Sequence, residues 1–169
     1  MSDPITIRPA TEADVPVILG FVRDLAKYEH LEHEVVATEE GLRRTLFGPR
    51  PYAEVVFACD AGTPAGFALF FHNYSTFLGK PGIYLEDLFV RPEARGRGFG
   101  KRLLTWLART AVERDCGRLE WAVLDWNEPS IGFYRSLGAV LIDEWQFFRL
   151  TGNALTALAH ESRLAEPGS

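Results

Sequence analysis

Leu85–Arg102 reads LEDLFVRPEARGRGFGKR. The apolar run Leu88-Phe89-Val90 has strand character, and Arg91-Pro92 ends it, because proline cannot donate to a ladder. Arg95-Gly96-Arg97-Gly98-Phe99-Gly100-Lys101 follows as a turn, and an amphipathic run begins at Leu103. A strand, a glycine-rich turn and a helix in this order leave backbone N–H groups free at a helix start, with the positive end of the helix dipole behind them. Glycine lets that backbone approach a ligand without Cβ interference. Arg95, Arg97, Lys101 and Arg102 add positive charge, so the pattern predicts a site for a phosphate-bearing ligand.

Two phosphate loops are excluded by spacing. A Walker A loop would need Gly at position 95 and Ser or Thr at 102, and both are Arg. A dinucleotide fingerprint built on Gly96 and Gly98 would need a third glycine where Lys101 stands. The pattern that fits is Arg-x-x-Gly-x-Gly, as Arg95, Gly98 and Gly100.

Outward from this stretch, strands and helices alternate. Ile5-Thr6-Ile7 predicts a short strand, and Thr11-x-x-Asp14 a capping box before a helix carrying Val15, Ile18, Leu19, Val22 and Leu25. Thr38 caps a second helix, Glu39–Phe47, which Gly48-Pro49 stops. Val55–Ala58 and Gly66–Tyr74 predict paired strands, and Ile83–Val90 the strand that feeds the glycine turn. After the helix bearing Leu103, Leu104 and Leu107 come a strand at Leu119–Leu124, a helix capped by Asn127 with Pro129 in its first turn, and a late strand at Trp145–Leu150. A short terminal helix follows Thr151-Gly152-Asn153, and Ala165–Ser169 is expected to be disordered. The expectation is one α/β domain over 1–169, with a core of about 5–158 and a mixed, mostly antiparallel sheet flanked by helices.

Size and charge narrow the function. A chain of 169 residues with 47% apolar content suits one soluble domain. No run approaches the ~18 apolar residues of a membrane span, and no basic-then-apolar leader opens the chain, so a cytoplasmic protein without membrane attachment is expected. Cys59 and Cys116 predict two reduced thiols, and neither they nor His30 and His33 have metal-ligand spacing. The net charge of −5 argues against nucleic acid. Residues 1–40 hold nine acids against three bases, whereas residues 91–118 hold eight bases against three acids. A basic lobe suits an anionic cofactor and an acidic lobe a cationic acceptor.

The second informative stretch is Asn127-Glu128-Pro129-Ser130-Ile131-Gly132-Phe133-Tyr134-Arg135-Ser136-Leu137-Gly138. Together with Arg95-x-x-Gly98-x-Gly100, it resembles the two acetyl-CoA motifs of the GNAT N-acetyltransferase superfamily. The chemistry explains the residue types. Acetyl transfer needs a neutral amine, and an alkylamine is mostly protonated near neutral pH, so a base is required. The departing thiolate is a modest leaving group that a phenol can protonate. Glu86 is placed for the base role. Asp87 points to the opposite face of an ideal strand, so only one of the two should face the cleft unless a bulge intervenes.

Ile7-Arg8-Pro9-Ala10-Thr11, Leu25-Ala26-Lys27-Tyr28-Glu29, Tyr84-Leu85-Glu86-Asp87-Leu88-Phe89-Val90 and Asp125-Trp126-Asn127-Glu128-Pro129-Ser130 narrow the match. They resemble the spermidine/spermine (diamine) acetyltransferase family, including its thialysine-acetylating branch. The resemblance implies Tyr134 as general acid, and Glu86 as the residue that activates the amine through water. It implies cofactor contacts from Leu88, Phe89 and Val90, from Arg95, Gly96, Arg97, Gly98, Phe99, Gly100 and Lys101, and from Asn127, Glu128, Pro129 and Ser130. It implies acceptor contacts from Tyr28, Glu29, Glu86, Asp87, Glu120, Trp121, Ala122 and Glu144. The implied co-substrate is acetyl-CoA with no metal, the acceptor is a diamine, polyamine or lysine-like amino acid, and the assembly is a homodimer. A protein or peptide acetyltransferase and a non-catalytic acyl-CoA sensor are the alternatives. The sensor would lack the general acid.

Overall fold

Alternating apolar residues in the first two-thirds of the chain build a sheet with both faces covered. The computed structural model describes residues 5–161, and the tail expected at Ala165–Ser169 lies outside them. The strands are β1 (Ile5–Pro9), β2 (Glu54–Asp60), β3 (Thr63–Ser75), β4 (Lys80–Val90) and β5 (Leu119–Trp121). They lie side by side in chain order. The first four pair antiparallel, and β5 runs parallel to β4. The helices are α1 (Val15–Tyr28), α2 (Glu39–Phe47), α3 (Phe99–Glu113), α4 (Glu128–Ser136) and α5 (Gly152–Glu161). Residue contacts group the chain into two units, one ending at Ala122 and one beginning at Val123.

In the first unit the caps act as their residue types predict. The Asp14 carboxylate accepts the Thr11 N–H at 2.8 Å and closes a 3-10 turn ahead of α1. The Thr38 hydroxyl accepts the Gly41 N–H at 3.1 Å and starts α2. One face of the sheet packs Val55, Phe57, Cys59, Phe67 and Phe89 against Ile18 and Phe21 of α1. The Phe21 and Phe67 rings stack at 5.1 Å. The other face meets α3: the Phe70 ring lies edge-on to Trp106 at 5.9 Å. Any Cβ on Gly66 would meet the Leu103 side chain at 3.5 Å, and the Phe89 carbonyl closer still at 3.1 Å, so glycine permits that approach.

The second unit holds α4 and α5. The Asn127 side chain accepts the Ser130 N–H and caps α4, and Gly138 follows at φ +89°, where glycine is favoured. Two expectations fail. The strand expected at Leu119–Leu124 ends at Trp121. The strand expected at Trp145–Leu150 does not form, and Trp145, Phe147 and Phe148 are exposed. Their β-forming side chains find no ladder partner among the described residues, and an extended segment without one satisfies its backbone with water.

Candidate active site

β4 carries a bulge at the residues singled out for catalysis. Leu69 pairs with Asp87 but Phe70 pairs with Leu85, so Glu86 is the extra residue on β4. The bulge changes which face each side chain meets. Tyr84 packs its ring on Phe71 at 5.3 Å, on the side of β3 that also holds Phe67 and Leu69. Alternation returns Glu86 to that face, and the extra residue leaves Asp87, opposite Leu69, on it as well. On an ideal strand Asp87 would turn away from Glu86. Instead both carboxylates share the α1 face.

Glu29, at the C-terminal end of α1, completes an acidic cluster. Burial first, then the charges of Glu86 and Glu29, push the Asp87 carboxyl up to about 7. Burial also raises Glu29. Tyr84 is raised by burial and then by Glu86 and Glu120, which places a fourth carboxylate along the same row. Glu120 of β5 is itself engaged: it accepts from Asn73 at 3.1 Å and pairs with Arg118 at 2.5 Å. Tyr28 lies against Phe89, with ring centroids 6.3 Å apart. Of the acceptor contacts expected, the fold therefore brings together Tyr28, Glu29, Glu86, Asp87 and Glu120. Trp121 is half-buried at the end of β5, and Ala122 and Glu144 are exposed.

Past Val90 the chain makes the expected glycine turn. Gly96 and Gly98 take φ +75° and +93°, and no atom lies within 4 Å of where a Cβ would stand on either. Gly98 is the N-cap of α3 and offers no side-chain acceptor to the first turn. The N–H groups of Phe99, Gly100 and Lys101 are thus the uncapped donors of a helix start. An open cleft of about 390 Å³ adjoins them, lined by Ile5, Arg97, Gly98, Lys101, Arg102 and Thr105. These features fit a diphosphate-bearing ligand. The arginines divide their duties. Arg97 is already paired with Asp60 at 2.7 Å and lies over Phe99. Arg95 turns away, over Tyr28 and Phe89. Leu88 and Val90 are half-buried and Phe89 is buried in the α1-side core.

In the second unit Asn127 is buried at the cap of α4, and Glu128, Pro129 and Ser130 form the first turn. Tyr134 is half-buried on the same helix, its ring 5.6 Å from Phe133. Tyr84, absent from the expected site, joins the acidic row through its pairing with Glu120. A tyrosine in an apolar strand gave no signal of that neighbour.

Residues 21–139 match the acetyltransferase (GNAT) family. An L-ornithine N5-acetyltransferase of Arabidopsis thaliana is 40% identical over 90% of this chain and 86% of its own. A thialysine N-epsilon-acetyltransferase of Bos taurus is 38% identical over 92% of this chain and 97% of its own. Among solved structures, an integron cassette protein from V. cholerae superposes with a TM-score of 0.79 at 28% identity, covering 94% of this chain and 99% of that one. The match spans the bulged strand, the glycine turn and the Asn127–Gly138 stretch, and the chain belongs to the GNAT acetyltransferase family.

Proposed function

We propose that this chain moves an acetyl group from acetyl-CoA to the primary amine of a small cationic acceptor, a diamine, polyamine or lysine-like amino acid, by direct attack within a ternary complex. The observation that carries the proposal is the β4 bulge, which sets Glu86 and Asp87 side by side, near Glu29, on the strand that runs into the glycine turn. Paired carboxylates hold an ammonium ion, and a carboxyl titrating near neutrality can take its proton. The relatives named for ornithine and thialysine acetylation support an amine acceptor.

Each group then has a task. The acceptor ammonium loses its proton to the carboxylate pair, through water at Glu86, and the proton comes to rest on Asp87. The freed nitrogen attacks the thioester carbonyl, forming a C–N bond. The tetrahedral oxyanion collapses, the C–S bond breaks, Tyr134 protonates the departing thiolate, and the second proton of the attacking nitrogen passes through water to restore the Tyr134 phenol. The glycine turn holds the diphosphate through backbone N–H groups, and Leu88–Val90 and Asn127–Ser130 line the remainder of the cofactor. The whole chain acts as one acetyltransferase domain. It works in the cytoplasm, where acetyl-CoA is available and Cys59 and Cys116 stay reduced. It works as a homodimer, a reading that the exposed Leu141, Trp145, Phe147 and Phe148 support.

The test follows free thiol released from acetyl-CoA with putrescine, spermidine, ornithine, thialysine and a short peptide. With the preferred amine, kcat/KM should rise with pH through a limb near 7, because Asp87 must be ionised to accept a proton and burial favours its protonated form below that value. Asp87→Asn should remove that limb and lower kcat/KM roughly 100-fold. An unchanged limb in Asp87→Asn overturns the proton assignment. Thiol release no faster than the amine-free blank, with every acceptor, overturns the acetyl-transfer reading itself.

A further inference from the structure

Gly82 opens a passage across β4. It lies opposite Asn73 of β3, and a Cβ on it would collide with the Asn73 side-chain oxygen and stand 3.2 Å from Cγ of Arg118. Through that gap the Asn73 amide reaches over β4 to β5 and donates to Glu120 Oε1 at 3.1 Å. Arg118 Nε meets the same oxygen at 2.5 Å. The Asn73 side-chain oxygen is left buried, with no hydrogen-bond partner among the described residues. An orphaned buried acceptor costs stability, so the clamp that Asn73 and Arg118 place on this one carboxylate is held against a penalty.

The place of Glu120 gives the clamp its meaning. Tyr84 sits opposite Glu120 in the β4–β5 ladder, and its hydroxyl is influenced by both Glu120 and Glu86. An acceptor amine at Glu86 and Asp87 can therefore extend its chain over Tyr84 toward Glu120. Two residues along β4 and one strand spacing across it, about 6.6 Å and 4.8 Å, put the two positions about 8 Å apart, the reach of an extended chain of about five or six methylenes. A free carboxylate there would hold a second ammonium. With Arg118 upon it, Glu120 presents no net charge, and an arriving ammonium would meet the guanidinium too. Glu29, Glu86 and Asp87, nearer the bulge, form no ion pair among the described residues. The acids of this face thus differ: three keep their charge for the acceptor, and the fourth is cancelled.

We propose that Arg118 is a specificity-determining residue: by neutralising Glu120 it withholds a second cation site, so the enzyme gains nothing from a positive charge at the far end of the acceptor. The inference rests on the acetyl-transfer reading above and narrows what that site reads in its acceptor. Arg118 acts through Glu120, and Asn73 holds the carboxylate in place for it.

Pentylamine and cadaverine share a five-carbon chain and differ only by the far ammonium, so they form the test pair. Steady-state kinetics by thiol release should show the cadaverine KM falling at least tenfold in Arg118→Gln. The pentylamine KM, and kcat with either amine, should stay within about twofold, as expected for a gain in binding alone. Arg118→Lys, which keeps the charge, should keep the wild-type values, and Arg118→Gln combined with Glu120→Gln should lose the gain. An unchanged cadaverine KM in Arg118→Gln overturns the assignment, as does an equal fall for both amines, which marks a general field effect. A lysine variant that behaves like the glutamine one, or a gain that survives removal of the Glu120 carboxylate, overturns it too. If Arg118→Gln melts well below the wild type, the wild type decides, through diamines of about three to eight methylenes set against the matching monoamines. The advantage of the second ammonium should show no maximum at about five or six methylenes, and a maximum there overturns the proposal. Absence of thiol release with any amine sinks the acetyl-transfer reading and this assignment with it, whereas the outcomes above sink only the assignment.

Discussion

Gly98→Val is expected to weaken acetyl-CoA binding by at least roughly 100-fold, a loss of about 2.7 kcal/mol. Two effects combine. Gly98 sits at φ +93°, where a β-branched residue is an outlier, so the turn must change its path. Any Cβ at this position would also enter the open space in front of the α3 start, which the diphosphate is proposed to occupy. Strain alone can be separated from obstruction. Gly62, in the β2–β3 turn, has nearly the same φ, +88°, and equally open surroundings. Gly62→Val should cost a comparable 1–3 kcal/mol of stability, to the order of magnitude, and leave binding intact. Calorimetric titration of both variants decides the matter. Equal affinities in the two place the diphosphate elsewhere.

Tyr134→Phe should lower kcat roughly 100-fold with the affinity for acetyl-CoA changed less than about twofold. The substitution removes one hydroxyl from a half-buried ring and leaves the ring's contact with Phe133 in place. The Asn127 cap and the first turn of α4 are untouched, so the contacts proposed there for the cofactor should persist. Loss of a general acid should also show in the leaving group. An acyl donor whose thiol is more acidic needs less protonation and should recover much of the rate. A parallel fall in binding and turnover, without that recovery, contradicts an acid role and leaves Tyr134 as a packing residue.

The elements bounded by local chemistry were legible in the sequence. Thr38 and Gly48-Pro49 predict Glu39–Phe47, and α2 has those limits. Thr11 and Asp14 predict the turn before α1, and Asn127 the start of α4. The glycine turn was legible for the same reason, since two of its residues must take positive φ. The bulge was not legible. Both faces of the sheet are covered by helices, so Leu85 and Phe89 are buried alike although they face opposite sides. An apolar pattern that is satisfied on either face carries no register signal. An ideal strand would turn Asp87 away from Glu86, and that a bulge puts both on one face emerges only from the pairing with β3. Trp145–Leu150 fails for the converse reason. Its residue types favour a strand, but strand formation depends on a partner that local sequence does not supply. For Arg95, the turn announced a cation, and only the packing of Tyr28 and Phe89 gave it a direction.

The most direct measurement is a crystal structure of the complex with coenzyme A and ornithine. The account predicts diphosphate oxygens within about 3.2 Å of the N–H groups between Gly98 and Lys101. It predicts the acceptor's terminal amine against Glu86 and Asp87. A diphosphate bound away from the α3 start, or an amine on the opposite face of β4 from Asp87, contradicts it.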